Sequence, residues 1–216
     1  MELDNIIYPG LNKSLSELNA ISKIKKKSCE IVDLTEIEWV RDVLRHRVEE
    51  VGTYDIKFRK PTDEEIKSVS EIVGADINID ELKNNFHKNK RIIGITSGKG
   101  GVGKSTITSL LGIAFDELGK KVGIMDSDIW GYSVPKILGA KFPPIPFNER
   151  IFPSRINNLN VISMDYFVKQ DEAVIWRGPM LHKAIEQFLF EVLWHDIDVL
   201  LIDLSLIHIS EPTRPY

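Results

Sequence analysis

From Gly98 to Thr106 the chain reads GKGGVGKST, a run of glycines and lysines suited to one kind of chemistry, the holding of phosphate. Glycines let the backbone wrap closely, so that successive N–H groups point inward at an anion. A helix that follows adds its positive N-terminal end. Gly98, Gly103, Lys104 and Ser105 satisfy the spacing G-x-x-x-x-G-K-[ST]. In that pattern the lysine, here Lys104, reaches the β- and γ-phosphates, and the hydroxyl, here Ser105, binds Mg²⁺. Lys99, Gly100, Gly101, Val102 and Thr106 complete the loop, and ATP with Mg²⁺ is the ligand pair it implies.

Three acids stand where such a site needs them. Asp126 and Asp128 follow the apolar run Val122–Met125, and Asp203 follows Val199–Ile202. The C-terminal ends of strands are where open α/β sheets place ligand groups. An acid pair ending a strand also serves as a helix cap or turn, so that reading stays open for Asp126 and Asp128. Asp203, ending an apolar strand well downstream of the glycine loop, has the form of the aspartate that holds Mg²⁺ through water.

The elements that must position these residues follow from periodicity. Arg91–Thr96 reads as a strand before the loop, and Ile107, Leu110, Leu111, Ala114 and Leu118 as the buried face of a helix stopping at Gly119. Val122–Met125, Asn160–Met164 and Val199–Ile202 read as buried strands. Pro179 sits in the first turn of another helix, lined inside by Leu181, Ala184, Ile185, Phe188 and Leu189. Strands alternating with helices predict an α/β fold over residues 91–203, a doubly wound and mostly parallel sheet that is incomplete.

The block before it has another character. A short polar helix around Leu15–Leu18, strands at Ala20–Ile24 and Cys29–Leu34, and a helix over Glu36–Val51 with Val40, Val43, Leu44 and Val48 on one stripe are expected. A strand at Tyr54–Phe58 and a helix starting at Pro61 and Thr62 and stopping at Gly74 complete it. Residues 1–78 thus form a small α+β domain, and 79–90 a charged helical linker.

Composition sets the outer bounds. The 216 residues are 43% hydrophobic and 28% charged, with a formal net charge of −4. That balance gives no general pull toward nucleic acid or anionic membrane, so neither is expected as a partner. Lys23, Lys25, Lys26 and Lys27 read as a solvated strand edge or turn. Cys29 is the only cysteine, which excludes an internal disulfide and a thiolate metal site. His46, His87, His182, His195 and His208 show no metal-ligand spacing. The N-terminal residues lack a signal-peptide pattern, and no apolar stretch approaches the roughly 18 residues that span a bilayer. A cytoplasmic location is expected. The segment 204–216, LSLIHISEPTRPY, is similar to a translated sequencing adapter and is read as a non-native tail.

Lys99, directly after Gly98, makes the loop resemble the deviant Walker A of the MinD, ParA and Mrp superfamily. The resemblance implies a homodimer in which Lys99 reaches the partner's nucleotide, where a cation offsets charge developing during phosphoryl transfer. Two longer stretches, DSDIWGYSVPKILG from Asp126 and VIWRGPMLHKAIEQFLFEVLWHDIDVLLIDL from Val174, are similar to the Mrp (ApbC) branch; the second includes Trp176 and Arg177. The first block, through the P-T-D-E-E of Pro61–Glu65, resembles that branch's small N-terminal domain. What the resemblance implies is an ATPase that carries a [4Fe–4S] cluster to apo iron–sulfur proteins. It further implies that Lys99, Lys104 and Asp128 are catalytic, with Asp128 orienting the attacking water. Ser105, Asp126 and Asp203 would then surround Mg²⁺. In the branch the cluster sits on a C-x-x-C pair after the Asp203-type strand, a region that Cys29 does not belong to. The alternatives are a MinD/ParA-like positioning ATPase and a non-functional fragment.

Overall fold

The structure is a computed structural model that describes residues 2–25, 28–86, 88, 90–128, 133–167, 178–194 and 197–204. It divides into two units, Met1–Ile77 with Ile145–Phe152, and Asn78–Pro144 with Pro153–Tyr216.

In the first unit, strands β1 (Ile21–Lys25) and β2 (Ser28–Val32) pair antiparallel, and β3 (Asp55–Arg59) joins β2 in parallel. A parallel pair needs a crossover, and helix α1 (Glu38–Val51) supplies it, burying Val40, Leu44 and Val48. Helix α2 (Asp63–Val73) follows the prediction closely. The Thr62 hydroxyl accepts from Glu65 N–H at 3.2 Å, Glu65 accepts from Thr62 N–H at 2.9 Å, and Gly74 ends the helix with φ 65°.

The same Glu65 forms an ion pair with Arg59 at 2.5 Å. Arg59 first, and then the Thr62 N–H, hold its carboxyl at about 2, below the ordinary 4.5. The folded state therefore favours the ionised form, so this stabilisation is complete above 4.5 and is lost as pH falls toward about 2. Glu65→Ala is expected to destabilise the unit by about 1 kcal/mol at pH 7. In urea unfolding, that difference from the wild type should shrink as the pH drops through this window.

Two expectations fail here. Leu15–Leu18 is a turn, not a helix. Ser14 and Glu17 exchange side-chain hydrogen bonds as at a helix start, but Asn19 takes a left-handed φ of 49° and stops it after one turn. The second concerns residues 145–152, which the sequence places with the sheet domain. They form a hairpin, β6 (Ile145–Phe147) and β7 (Arg150–Phe152), that belongs to the first unit. Asn148 and Glu149 both have positive φ, as its tight turn requires. Asn148 donates to the Ser70 hydroxyl, and the buried Arg150 donates to the carbonyls of Ala75 and Ile77 just past α2.

In the second unit β4 (Arg91–Ile95), β5 (Val122–Asp126), β8 (Ser154–Ile156), β9 (Leu159–Ser163) and β10 (Val199–Asp203) form a five-stranded sheet. Their order is β4-β10-β5-β9-β8. All are parallel except β8, which turns back on β9. The fold class is thus the expected α/β one with a parallel-rich sheet. Helix α3 (Ile79–Asn85), inside the stretch expected as a linker, packs within this unit on α6 (Gly178–Phe190), the helix that follows the short α5 (Val134–Leu138) in the chain. Lys83 pairs with Glu186 at 2.6 Å, and Phe86 meets the Phe190 ring edge-on at 5.3 Å.

Helix α4 (Lys104–Glu117) presents only part of the face that periodicity suggests. Leu111 packs against the core, but Thr108, Ser109 and Gly112 are buried, whereas Ile107, Leu110 and Leu118 are 52%, 59% and 75% exposed. The cause lies at its first turn. Lys104 and Ser105 must face Asp203, and one helical turn later that same face carries the small residues. They let the helix lie close to the sheet: a Cβ on Gly112 would stand 2.6 Å from Ile124 Cδ1.

Trp176 and Arg177, His87, His195 and the tail 205–216 lie outside the described residues.

Candidate nucleotide-binding site

Parallel register brings the strand ends level. Asp203 pairs with Ile95 on one side and Asp126 on the other, and Asp126 pairs with Ser163. The glycine loop leaves β4 at this same edge and enters α4 through Gly101 at φ 72° and Gly103 at φ 90°, conformations that favour glycine. A Cβ built on Gly98, Gly100, Gly101 or Gly103 meets no atom within 4 Å. The loop therefore borders open space of the kind a phosphate chain fills.

Asp203 is the hub. Its side chain is fully buried; Oδ1 accepts from Lys104 Nζ at 2.6 Å, and Oδ2 from Ser105 Oγ at 2.5 Å. Thr108 Oγ1 stands 3.4 Å from Oδ1 and donates to the Lys104 carbonyl at 3.0 Å. Ser127 donates through its N–H and its hydroxyl to the Asp203 carbonyl, pinning β10 to the end of β5. Asp128 reaches Lys104 Nζ at 3.4 Å. The Lys104 ammonium thus faces two carboxylates, both of them among the acids that the sequence singles out.

Asp126 is also fully buried. Burial first, and the nearby Asp203 charge second, push its carboxyl up to about 7, while the N–H and O–H groups around it pull the other way.

Lys99 and Thr106 are exposed; Lys99 takes part in the loop's own turn through its carbonyl, which accepts from Ser97 Oγ at 2.9 Å. Val102 is 56% exposed. Cys29 lies in the first unit, fully buried in the core, where burial raises its thiol pKa. It is not placed to serve as a cluster ligand. Among the described residues no group of three or more His, Cys, Asp or Glu side chains is arranged to hold a metal ion, and no helix is long and apolar enough to cross a membrane.

Thr108 and Ser163 escaped the sequence reading. Thr108 was within reach, one turn past Lys104 on the same face. Ser163 was not, because only the strand order puts it beside Asp126.

With this geometry in view, the comparisons are specific. A family model described as ParA, NUBPL iron-transfer P-loop NTPase, matches residues 88–205. An iron–sulfur cluster carrier protein of Mycobacterium leprae is 46% identical over 53% of this chain and 30% of its own length. One from Helicobacter pylori is 32% identical over 94% of this chain and 55% of its own, so that match includes the first unit. A nucleotide-binding protein from Archaeoglobus fulgidus, solved in complex with ADP, shares 32% identity over 60% of this chain and 50% of that one, with a TM-score of 0.47. The chain spans from 30% to 58% of the length of the curated relatives it matches. The loop, the buried Asp203 and the matched span together place this chain in the NUBPL iron-transfer P-loop NTPase family.

Proposed function

We propose that the chain binds and hydrolyses ATP in the service of iron–sulfur cluster delivery. One observation carries the nucleotide part: Lys104 and Ser105, adjacent at the start of α4, converge on the buried Asp203 beside an open glycine loop. On this reading Lys104 exchanges Asp203 for the β- and γ-phosphates, and the loop N–H groups from Gly98 to Thr106 take the remaining phosphate oxygens. The Ser105 hydroxyl and the Asp203 carboxylate are hard oxygen donors suited to Mg²⁺, with Asp126 next to them at the strand ends. When bound, the ion offsets negative charge on the phosphates.

Asp128, partly exposed and 3.4 Å from Lys104 Nζ, stands where it can orient the attacking water. Lys99, exposed on the loop, reaches across a homodimer to the partner's nucleotide. The cargo is a [4Fe–4S] cluster and the clients are apo iron–sulfur proteins. The relatives named as carriers support this, and the one thiol of these 216 residues is buried.

The test is phosphate release from ATP by the purified full chain. Turnover that requires Mg²⁺ and rises per subunit with protein concentration supports an ATPase acting as a dimer. Absence of both nucleotide binding and turnover would remove the reading.

A further inference from the structure

We propose that Asp126 is a positioning residue: it clasps the segment carrying Asp128 and does not ligate the metal. The role rests on the hydrolysis reading above, since Asp128 matters only if water is activated there.

The assignment comes from how its two oxygens are used. Oδ1 accepts from the Asp128 N–H at 3.3 Å. Oδ2 accepts from the Ser133 N–H at 3.1 Å, the Val134 N–H at 3.2 Å and the Ser163 hydroxyl at 3.1 Å. Each carboxylate oxygen offers about two lone-pair sites; among the described residues Oδ2 accepts three bonds, more than that share, and Oδ1 accepts one. Three of the four donors are main-chain groups, so they cannot swing aside for a cation without moving the chain. Asp203 differs in kind. Its partners are the side chains of Lys104, Ser105 and Thr108, which can turn toward an arriving phosphate while the backbone stays put.

The clasp ties Asp128, Ser133 and Val134 to one carboxylate. Asp128 in turn reaches Lys104, so the carboxylate of Asp126 sets where Asp128 stands relative to the phosphate loop. Ser163, at the end of β9 and in register with Asp126, holds the clasp from the neighbouring strand. A fully buried acid beside a second buried acid is costly, and this donor set is what makes it tolerable.

Asp126→Asn tests the idea with little threat to the fold, because it removes one of two adjacent buried acids. An amide keeps one acceptor oxygen, and its nitrogen only donates, so one arm of the clasp must open. In hydrogen exchange of the nucleotide-free protein, the amides of Asp128, or those of Ser133 and Val134, should exchange faster than in the wild type. In turnover assays kcat should fall about tenfold to a hundredfold, the range of a misplaced catalytic group, with KM and the Mg²⁺ concentration for half-maximal rate within about twofold of the wild type. Ser163→Ala should give a smaller fall of the same kind, and little further loss when combined with Asp126→Asn.

Unchanged exchange at all three amides overturns the clasp. Faster exchange with wild-type kcat overturns its part in hydrolysis. A Mg²⁺ requirement raised about tenfold or more identifies Asp126 as part of the metal's surroundings instead. Lys104→Ala, run alongside, separates failure of the parent reading: if that variant turns over ATP normally, the hydrolysis site is elsewhere, and the exchange data alone then decide the clasp.

Discussion

Lys104→Ala is expected to abolish ATP turnover and to weaken nucleotide binding by about tenfold to a hundredfold or more, since charge-assisted hydrogen bonds are each worth about 1.5–3 kcal/mol and at least one is lost in a partly enclosed site. A second effect concerns the stability of the protein itself. Asp203 is fully buried, with Lys104 Nζ 2.6 Å away, and Asp126 is buried beside it. Removing the Lys104 ammonium leaves Asp203, among the described residues, to the Ser105 and Thr108 hydroxyls, with Asp126 beside it held by main-chain N–H groups and the Ser163 hydroxyl. Breaking a buried pair from one side costs about 3–5 kcal/mol, so the unliganded variant should also unfold at a lower temperature. The two effects separate with Lys104→Arg. It keeps a positive charge near Asp203 and should recover much of the stability. A planar guanidinium is a poor stand-in for a compact ammonium, so nucleotide binding should stay weak. Wild-type turnover in Lys104→Ala would refute the site.

Lys99→Ala is the complementary case. Lys99 is exposed on the loop, and no side-chain ion pair or hydrogen bond of its own is recorded among the described residues. Its loss should change stability by less than about 0.5 kcal/mol and leave nucleotide binding close to the wild type. Hydrolysis, in contrast, should fall about a thousandfold, the lower end of what a cation supplied in trans contributes to phosphoryl transfer. Mixing makes the trans role visible. In a dimer of one Lys99→Ala subunit and one Lys104→Ala subunit, a single site has both its own Lys104 and the partner's Lys99. Random pairing of two inactive variants should then restore up to about a quarter of wild-type turnover. Unchanged hydrolysis in Lys99→Ala would remove it from the mechanism, and no restoration on mixing would confine it to its own subunit.

The parts of this molecule that were readable before the structure are those written in short stretches of chain. The phosphate loop is one, because its spacing, its glycines and its following helix lie within one segment. The helix α2 is another, with Thr62, Glu65 and Gly74 each acting on near neighbours. Asp203 and Asp126 were readable as acids at strand ends. That the first holds Lys104 while the second holds main-chain N–H groups was not, since it depends on which strands lie side by side. The face of α4 is only partly legible for a related reason. Apolar spacing favours Ile107, Leu110, Leu111, Ala114 and Leu118, of which Leu111 packs on the core, but the helix is turned by the need to aim Lys104 and Ser105 at Asp203, and close approach is served by Gly112. The hairpin at Ile145–Phe152 left little trace because its strands are three residues long and one contains Pro146. What fastens it is the buried Arg150, whose acceptors are backbone carbonyls that no side-chain pattern advertises.

A structure of the full chain determined with Mg²⁺ and ADP would bear most directly on the nucleotide site. The expected result is phosphate oxygens within hydrogen-bonding distance of the N–H groups of Gly98–Thr106, Lys104 Nζ drawn off Asp203 onto the phosphates, and Asp126 still bound to Asp128, Ser133 and Val134. Nucleotide bound elsewhere, or Lys104 still held at 2.6 Å by Asp203 in a saturated crystal, would contradict it.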